Sequence, residues 1–235
     1  MNVFLLAAGK GTRLLPLTSN VPKCLVEING KPLLSYWIDL FSKYQINKIF
    51  INTHHLQEKV SYYLQNFKGN INIETCYEKE LLGSLGTLII NKSKIMREQH
   101  VLVCYADNLT NINLKKFINF HNSHNLPITI GLFETDFPKD CGIIELDENN
   151  IVISFEEKPE CPKSNLANAG IYIFDTSIFE SVSFDNKLLD IAFDLLPNYI
   201  GKMKGYKLND FIYDIGDLRK LEFAENYLKN NLNLF

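Results

Sequence analysis

Two glycines set directly behind a buried strand constrain this chain more than any other feature. Residues 5–23 read LLAAGKGTRLLPLTSNVPK, and they continue an apolar run from Val3 to Leu6 of the kind that forms a core strand. Gly9 and Gly11 let the backbone approach an anion closely and turn several amide N–H groups toward it. Arg13 then supplies a planar, multi-donor cation, and Lys23 a mobile point charge. This is a phosphate-binding layout.

Two commoner glycine motifs do not fit it. A dinucleotide fingerprint needs a third glycine where Leu14 stands, and here the chain runs on through Pro16 and Pro22 instead of entering a helix. The Walker pattern places its lysine directly after the second glycine, followed by Ser or Thr, whereas Thr12 and Arg13 follow Gly11. An ordinary Gly-rich turn would explain Gly-x-Gly alone, but not its company of Thr12, Arg13 and Pro22-Lys23.

The rest of the composition narrows the class. With 235 residues, 46% hydrophobic and 22% charged, residues 1–235 are expected to form one globular domain with a sizeable core. A net charge of −3 and a pI near 6.0 argue against nucleic-acid or anionic-membrane partners. A strand begins within two residues, with no leader-like region and no run approaching a membrane span, so a cytoplasmic location is expected. Cys24, Cys76, Cys104, Cys141 and Cys161 lack metal-type spacing and read mostly as reduced structural thiols. His54-His55 and the His121/His124 pair read as solvated side chains, not as metal ligands.

Strands and helices alternate from the start. Strands are expected at 48–52, 71–77, 100–105, 128–134 and 166–174, and helices at 33–41, 58–67 and 114–123. Residues 141–147 and 151–156, joined by Glu148-Asn149-Asn150, read as an antiparallel hairpin. A helix at 188–199, short strands at 206–208 and 211–214, and a helix at 218–232 complete the chain. The fold class is therefore α/β: a Rossmann-like layered domain with a mostly parallel mixed sheet and an inserted antiparallel hairpin.

Five stretches, LAAGKGTRLLPLTSNVPKCL, LLGSLGT, YADN, FEEKP with NAG, and YDIGD, resemble in the same order the motifs of the sugar-1-phosphate nucleotidylyltransferases. These enzymes make nucleoside-diphosphate sugars. The resemblance implies a nucleoside triphosphate and a sugar 1-phosphate as partners, Mg²⁺ as cofactor and, commonly, a homodimer. It places Leu6, Ala8, Gly9, Gly11, Thr12 and Gly83 on the nucleotide, Arg13 and Lys23 in catalysis, and Asp107 and Asp214 on the metal. Gly142, Glu157, Lys158, Asn168 and Gly170 fall on the sugar phosphate. No hexapeptide repeat follows Asp214, so no C-terminal β-helix is expected. Asp217 stands where the family usually has threonine, and either residue caps a helix.

Plainer roles exist for several of these residues: Ser84 as a helix cap, Asp107 in an Asx turn or cap, and Glu156-Glu157-Lys158 as a solvated charge run. Two rival functions also stand, a cytidylyltransferase for a phosphorylated alcohol such as phosphocholine and a non-catalytic paralogue. The sugar-side residues argue against the first and the complete set of charges against the second. The loop and the CGIIELD hairpin are most similar to mannose-1-phosphate or heptose-1-phosphate guanylyltransferases, which ranks GTP first, UTP or dTTP next and CTP last.

Overall fold

The computed structural model describes residues 1–44, 46, 48–180, 182, 184 and 188–231. The architecture is mixed α/β, and contacts divide it into two compact units. The first comprises Asn2–Leu81, Tyr105–Ile112 and Asp210–Phe235; the second comprises Met1, Leu82–Cys104 and Asn113–Asn209.

In the first unit the strands Asn2–Leu6, Lys48–Thr53 and Ile73–Tyr77 pair in parallel, in register Phe4 with Phe50 and Ile51 with Thr75. Parallel neighbours need crossover connections, and the helices Leu33–Ser42 and Gln57–Gln65 lie in them. The first helix follows Pro32, whose fixed φ suits a helix start and whose missing N–H costs nothing there. It buries Leu33, Leu34, Trp37, Ile38 and Phe41, each large side chain contributing about 1.5–3 kcal/mol. The final helix, Leu218–Asn230, buries Ala224 and Leu228 in a cluster with Ile28, Leu33, Leu109 and Ile215. Leu232, where the sequence reading ended this helix, lies outside the described residues.

In the second unit, Leu166–Asp175 pairs antiparallel with both His100–Tyr105 and Ile128–Glu134, and Met203–Lys207 adds in parallel to the latter. The expected hairpin is present as Gly142–Leu146 with Val152–Glu157. Its turn is closed by Asp147 Oδ1, which accepts from the amides of Asn149 and Ile151, and by Asn150 in the left-handed region at φ 61°.

One expected helix changes character. Residues 188–199 form a π-helical turn, Ile191–Leu195, followed by a 3₁₀ turn, Leu196–Tyr199. Pro197 cannot donate to an α-helical ladder, so the sequence periodicity overstates regular helix here. No helix among the described residues is long and apolar enough to cross a membrane.

The solvated reading of the histidines is corrected. His121 is only 3% exposed, and its ring meets those of His100 and His124 edge-on. Thr129 Oγ1 bonds both His121 Nδ1 at 2.8 Å and His124 Nε2 at 2.9 Å. The Leu126 amide donates to His124 Nδ1, so a neutral His124 carries its proton on Nε2 and donates to Thr129. The Thr129 hydroxyl, with one donor and two lone pairs, serves His121 Nδ1 in either tautomer of that ring. His54 Nδ1 and His55 Nε2 likewise contact backbone carbonyls, those of Glu78 and Thr18. No group of three or more His, Cys, Asp or Glu able to hold a metal occurs among the described residues.

Burial, with the neighbouring His100 and His124, lowers the His121 pKa from 6.5 to about 4, and Asp175 opposes this. Burial, with Lys204, likewise lowers the His124 pKa, and the Leu126 contact opposes this. Because the folded value is depressed, the unfolded chain binds the proton more readily, so stability is intact above pH 6.5 and declines as pH falls toward 4. The loss should reach roughly 3 kcal/mol. Urea unfolding from pH 7.5 to 4 should show this decline in the wild type and a flatter one in His121→Leu; parallel declines would acquit the cluster.

Candidate active site

The glycine loop belongs to the first unit and is clamped at its start. Where the strand ends at Leu6, the Ala7 amide donates to Asn52 Oδ1 at 2.6 Å, and Asn52 Nδ2 donates to Glu78 Oε1 at 2.8 Å. Ala8 is buried, whereas Gly9, Thr12 and Arg13 are exposed. Gly11 is required on two counts: its φ is +65°, and a Cβ would stand 2.9 Å from Thr18 Cγ2 and 3.1 Å from Lys23 Cβ. Buried Thr18 donates to the Gly11 carbonyl at 2.7 Å, and Thr12–Leu14 turn tightly behind it. Lys23 heads a third such turn, Lys23–Leu25, after that of Leu17–Ser19, and is 8% exposed. Its neighbour Cys24 is fully buried, which pushes the thiol up to about 12 and leaves it inert.

The two aspartates converge because a short antiparallel ribbon carries them. Asn108–Thr110 pairs with Ile212–Asp214, Asn108 opposite Asp214, and the Ile215 amide donates to the Asp107 carbonyl at 2.8 Å. Lys23 Nζ lies 2.6 Å from Asp107 Oδ2 and 3.9 Å from Asp214 Oδ1. One cation is therefore already within reach of both carboxylates. Two half-exposed carboxylates that a single ammonium can bridge suit a hard divalent ion whose remaining ligands are phosphate oxygens and water. Lys220 Nζ approaches the other side of Asp214, 2.6 Å from Oδ2. Gly216 leaves room for this packing: a Cβ there would stand 2.6 Å from Asp214 Oδ2 and 3.2 Å from Arg13 Nη2. Asp217 caps the final helix as expected, and the Lys220 amide, with that of Arg219, holds its carboxyl below the usual range.

The second unit carries the other expected residues. Gly83 opens the helix Gly83–Ile90 at φ +79°, and a Cβ would stand 2.2 Å from the Leu189 carbonyl, which accepts from the amides of Leu85 and Gly86. Gly142 faces Glu157 across the hairpin; a Cβ would stand 2.5 Å from Glu157 Oε2 and 3.0 Å from the Phe155 ring. Lys158 is exposed and left-handed at φ 50°, its amide donating to the Cys141 carbonyl. Burial holds the Glu157 carboxyl above its usual range, with Lys158 opposing and Asp190 reinforcing. Asn168 pins a bulge in its strand, donating to Tyr172 Oη at 2.7 Å and accepting from the Gly170 amide at 3.0 Å, with Gly170 at φ +67°. Complete burial of Tyr172 pushes its phenol far above the ordinary range.

Residues 2–231 match the family model described as nucleotidyl transferase. The chain belongs to that family. Across 99% of its length it is 32% identical to a bifunctional protein GlmU of Methanocaldococcus jannaschii, of which the match covers 55%. It is 27% identical, over 92% of its length, to a mannose-1-phosphate guanylyltransferase catalytic subunit beta of Dictyostelium discoideum, of which the match covers 61%. The chain thus spans a little over half the length of the curated relatives it matches. Among solved structures, HddC from Yersinia pseudotuberculosis complexed with GMP-PN superposes with a TM-score of 0.79 at 25% identity, over 97% of this chain and 99% of that one.

The structure adds residues to those the motifs point to. Ser84 does not cap its helix; Leu82 occupies that position, and the Ser84 hydroxyl instead donates to Asp190 Oδ2 and accepts from the Ile191 amide, both at 2.8 Å. The first helical amides already have the Leu189 carbonyl, so no side-chain cap is needed. Asn52, Glu78 and Lys220 also escape the motifs. A polar residue in the apolar run IFINT is the trace Asn52 leaves, and a lysine three residues past a capping aspartate is the trace of Lys220.

Gly216→Ala tests the packing around Asp214. Pyrophosphate release should fall by about 100-fold, the scale on which small misplacements of reacting groups act, with little change in melting temperature. A wild-type rate in that variant would show that Asp214 and Arg13 need not sit as they do.

Proposed function

We propose that the chain transfers a nucleotidyl group from GTP to a sugar 1-phosphate of the mannose or heptose type, releasing pyrophosphate. The observation that carries this is the Lys23 ammonium set between Asp107 and Asp214, behind a glycine loop that also presents Arg13. A phosphate oxygen of the sugar phosphate attacks the α-phosphorus; the new P–O bond forms as the bond to the β-phosphate oxygen breaks, and the electron pair leaves with pyrophosphate. The attacking oxygen is already anionic, so no proton needs to be removed and no general base is required. The protein's task is positioning and neutralising charge.

In this reading the loop amides and Thr12 hold the triphosphate, Arg13 stabilises the leaving pyrophosphate, and Lys23 serves the α-phosphate. Asp107 and Asp214 would hold Mg²⁺, which supplies Lewis-acid neutralisation of the phosphate oxygens when bound. Glu157, Asn168 and the backbone of Gly142 and Gly170 address the sugar, and Lys158 its phosphate. Leu6, Ala8 and Gly83 shape the nucleotide's surroundings.

Two features support GTP. The Dictyostelium relative is named a guanylyltransferase, and the Yersinia neighbour was solved with GMP-PN. Independently, Glu78 places an acceptor-only group at the end of the strand Ile73–Tyr77, oriented by Asn52. Glu78 is 4% exposed and shares one oxygen with Asn52, and the Watson–Crick edge of guanine offers such an acceptor two adjacent donors, N1–H and the 2-amino group, where uracil and thymine offer one.

Pyrophosphate release over GTP, UTP, dTTP, CTP and ATP against mannose, heptose, glucose and glucosamine 1-phosphates, with phosphocholine as a further acceptor, checks the assignment. Silence in every combination from folded protein sinks the enzymatic reading for those substrates. Glu78→Gln should raise the KM for GTP by ~10-fold or more, the discrimination expected of a lost bidentate contact, and spare UTP. Equal damage to both nucleotides would make Glu78 a structural support alone.

Asp107→Asn and Asp214→Asn each remove a negative ligand and should cut turnover ~100-fold or more without a matching loss of thermal stability. Near-wild-type turnover in either variant across an Mg²⁺ titration removes that residue from the metal.

A further inference from the structure

One cation of the first unit has no task in the reaction as proposed. Lys220 lies in the first turn of the helix Leu218–Asn230, three residues beyond the capping Asp217. Helix side chains lean toward the N-terminus, which directs Lys220 back over its cap to Asp214, where Nζ meets Oδ2 at 2.6 Å. Lys23 lies 3.9 Å from the opposite oxygen, Oδ1. A Cβ on Gly216 would stand 2.6 Å from Asp214 Oδ2 and 3.2 Å from Arg13 Nη2, so the Arg13 guanidinium lies close by. Asp214 is thus ringed by cations, and only Lys220 is unassigned.

We propose that Lys220 is an exchange cation: it neutralises Asp214 while no divalent ion is bound, yields the carboxylate when one binds, and then pairs with pyrophosphate oxygens beside Arg13. This rests on the metal reading of Asp214 given above. An Mg²⁺ ion needs its ligand oxygens at about 2.1 Å, and an ammonium kept on the same carboxylate would press two positive charges together. The Lys220 side chain is 36% exposed and that of Asp214 37%, and ion pairs of that kind are weak enough to break. The lysine stem is long and flexible, and the nearest new negative charge is the polyphosphate that arrives with the metal. A residue whose partner changes in this way acts on the two ligands with opposite sign. Removing it frees Asp214 for metal and deprives pyrophosphate of a cation.

Mn²⁺, which takes the same oxygen ligands and is read directly by electron paramagnetic resonance, tests the first half without nucleotide or turnover. Four proteins are compared: wild type, Lys220→Met, Asp214→Asn, and Arg219→Gln as a charge control one residue away on the exposed side of the same turn. Lys220→Met should bind Mn²⁺ ~3- to 10-fold more tightly than wild type, the scale of a weak ion pair released, and Asp214→Asn should lose binding. Calorimetry with pyrophosphate on protein already saturated with Mn²⁺, so that only the anion contact is read, should show Lys220→Met ~10-fold weaker, and Arg219→Gln should stay within about 2-fold of wild type in both assays.

Unchanged Mn²⁺ affinity in Lys220→Met, with binding lost in Asp214→Asn, overturns the exchange and leaves the metal reading standing. Equal tightening in Arg219→Gln overturns it too, because general charge then explains the effect. Unchanged pyrophosphate affinity in Lys220→Met overturns the transfer to the anion. Mn²⁺ binding by neither wild type nor Lys220→Met overturns the exchange, since no ion then displaces Lys220 before the nucleotide arrives; the metal reading itself is decided by the turnover of Asp107→Asn and Asp214→Asn across the Mg²⁺ titration.

Discussion

Two carboxylates held side by side repel, and the arrangement of the first unit depends on how that repulsion is met. Lys23 answers it for Asp107 and partly for Asp214, and Lys220 completes the neutralisation of Asp214. The geometry that creates the problem also fixes its solution. The ribbon of Asn108–Thr110 with Ile212–Asp214 sets the carboxylates, and the Gly11–Thr18 turn sets Lys23 by packing against its Cβ. The Lys220–Asp214 pair is more than one-third exposed on both sides, and pairs of that kind contribute about 1 kcal/mol or less, so this arm of the network is poised to be exchanged for stronger partners at small cost. A buried, fully sealed set of the same groups would resist exchange and would serve structure better than chemistry.

The second unit shows a different economy, in which backbone and not charge is held in place. Gly83, Gly142 and Gly170 each stand where a side chain would collide or where φ is positive, and each has its conformation imposed by a neighbour: Leu189, Glu157 or Asn168. Asn168 spends one N–H on Tyr172 and one lone pair on Gly170, leaving half of its hydrogen-bonding capacity for a ligand. In the proposed reading such residues combine scaffold with recognition. Their replacement therefore moves a bulge as well as removing a contact.

The parts of this molecule that are readable in the sequence are those fixed by local chemistry. β-Branched runs gave the strands of both units, and Glu148-Asn149-Asn150 and Asp217 announced a turn and a cap that the structure contains. The glycine loop was readable because the positive φ of Gly11 and its close approach to Thr18 and Lys23 need glycine and leave that trace. What was not readable depends on tertiary partners. Ser84 reads as a cap only if the Leu189 carbonyl is unknown, and His121 reads as solvated only if Thr129 and His100 are unknown. Residues 188–199 have the periodicity of an amphipathic helix, yet Pro197 and the ties of Leu189 and Asp190 to the Gly83 helix impose a π turn and a 3₁₀ turn.

Lys220 is the instructive case, because only the aspartate three residues before it distinguishes it in sequence from the lysines of other helices. Its meaning comes from Asp217, which stands where the resembled family usually has threonine. An aspartate at a helix N-cap accepts from the N2 and N3 amides, here Arg219 and Lys220, and so fixes the first turn to which Lys220 belongs. The same cap adds a negative charge close to Asp214, and a lysine at N3 offsets it while reaching the strand end. The departure at the cap and the lysine three residues later are therefore coupled. Threonine at the cap would remove one negative charge and leave Lys220 with Asp214 as its principal partner, a tighter pair that a metal ion would find harder to displace.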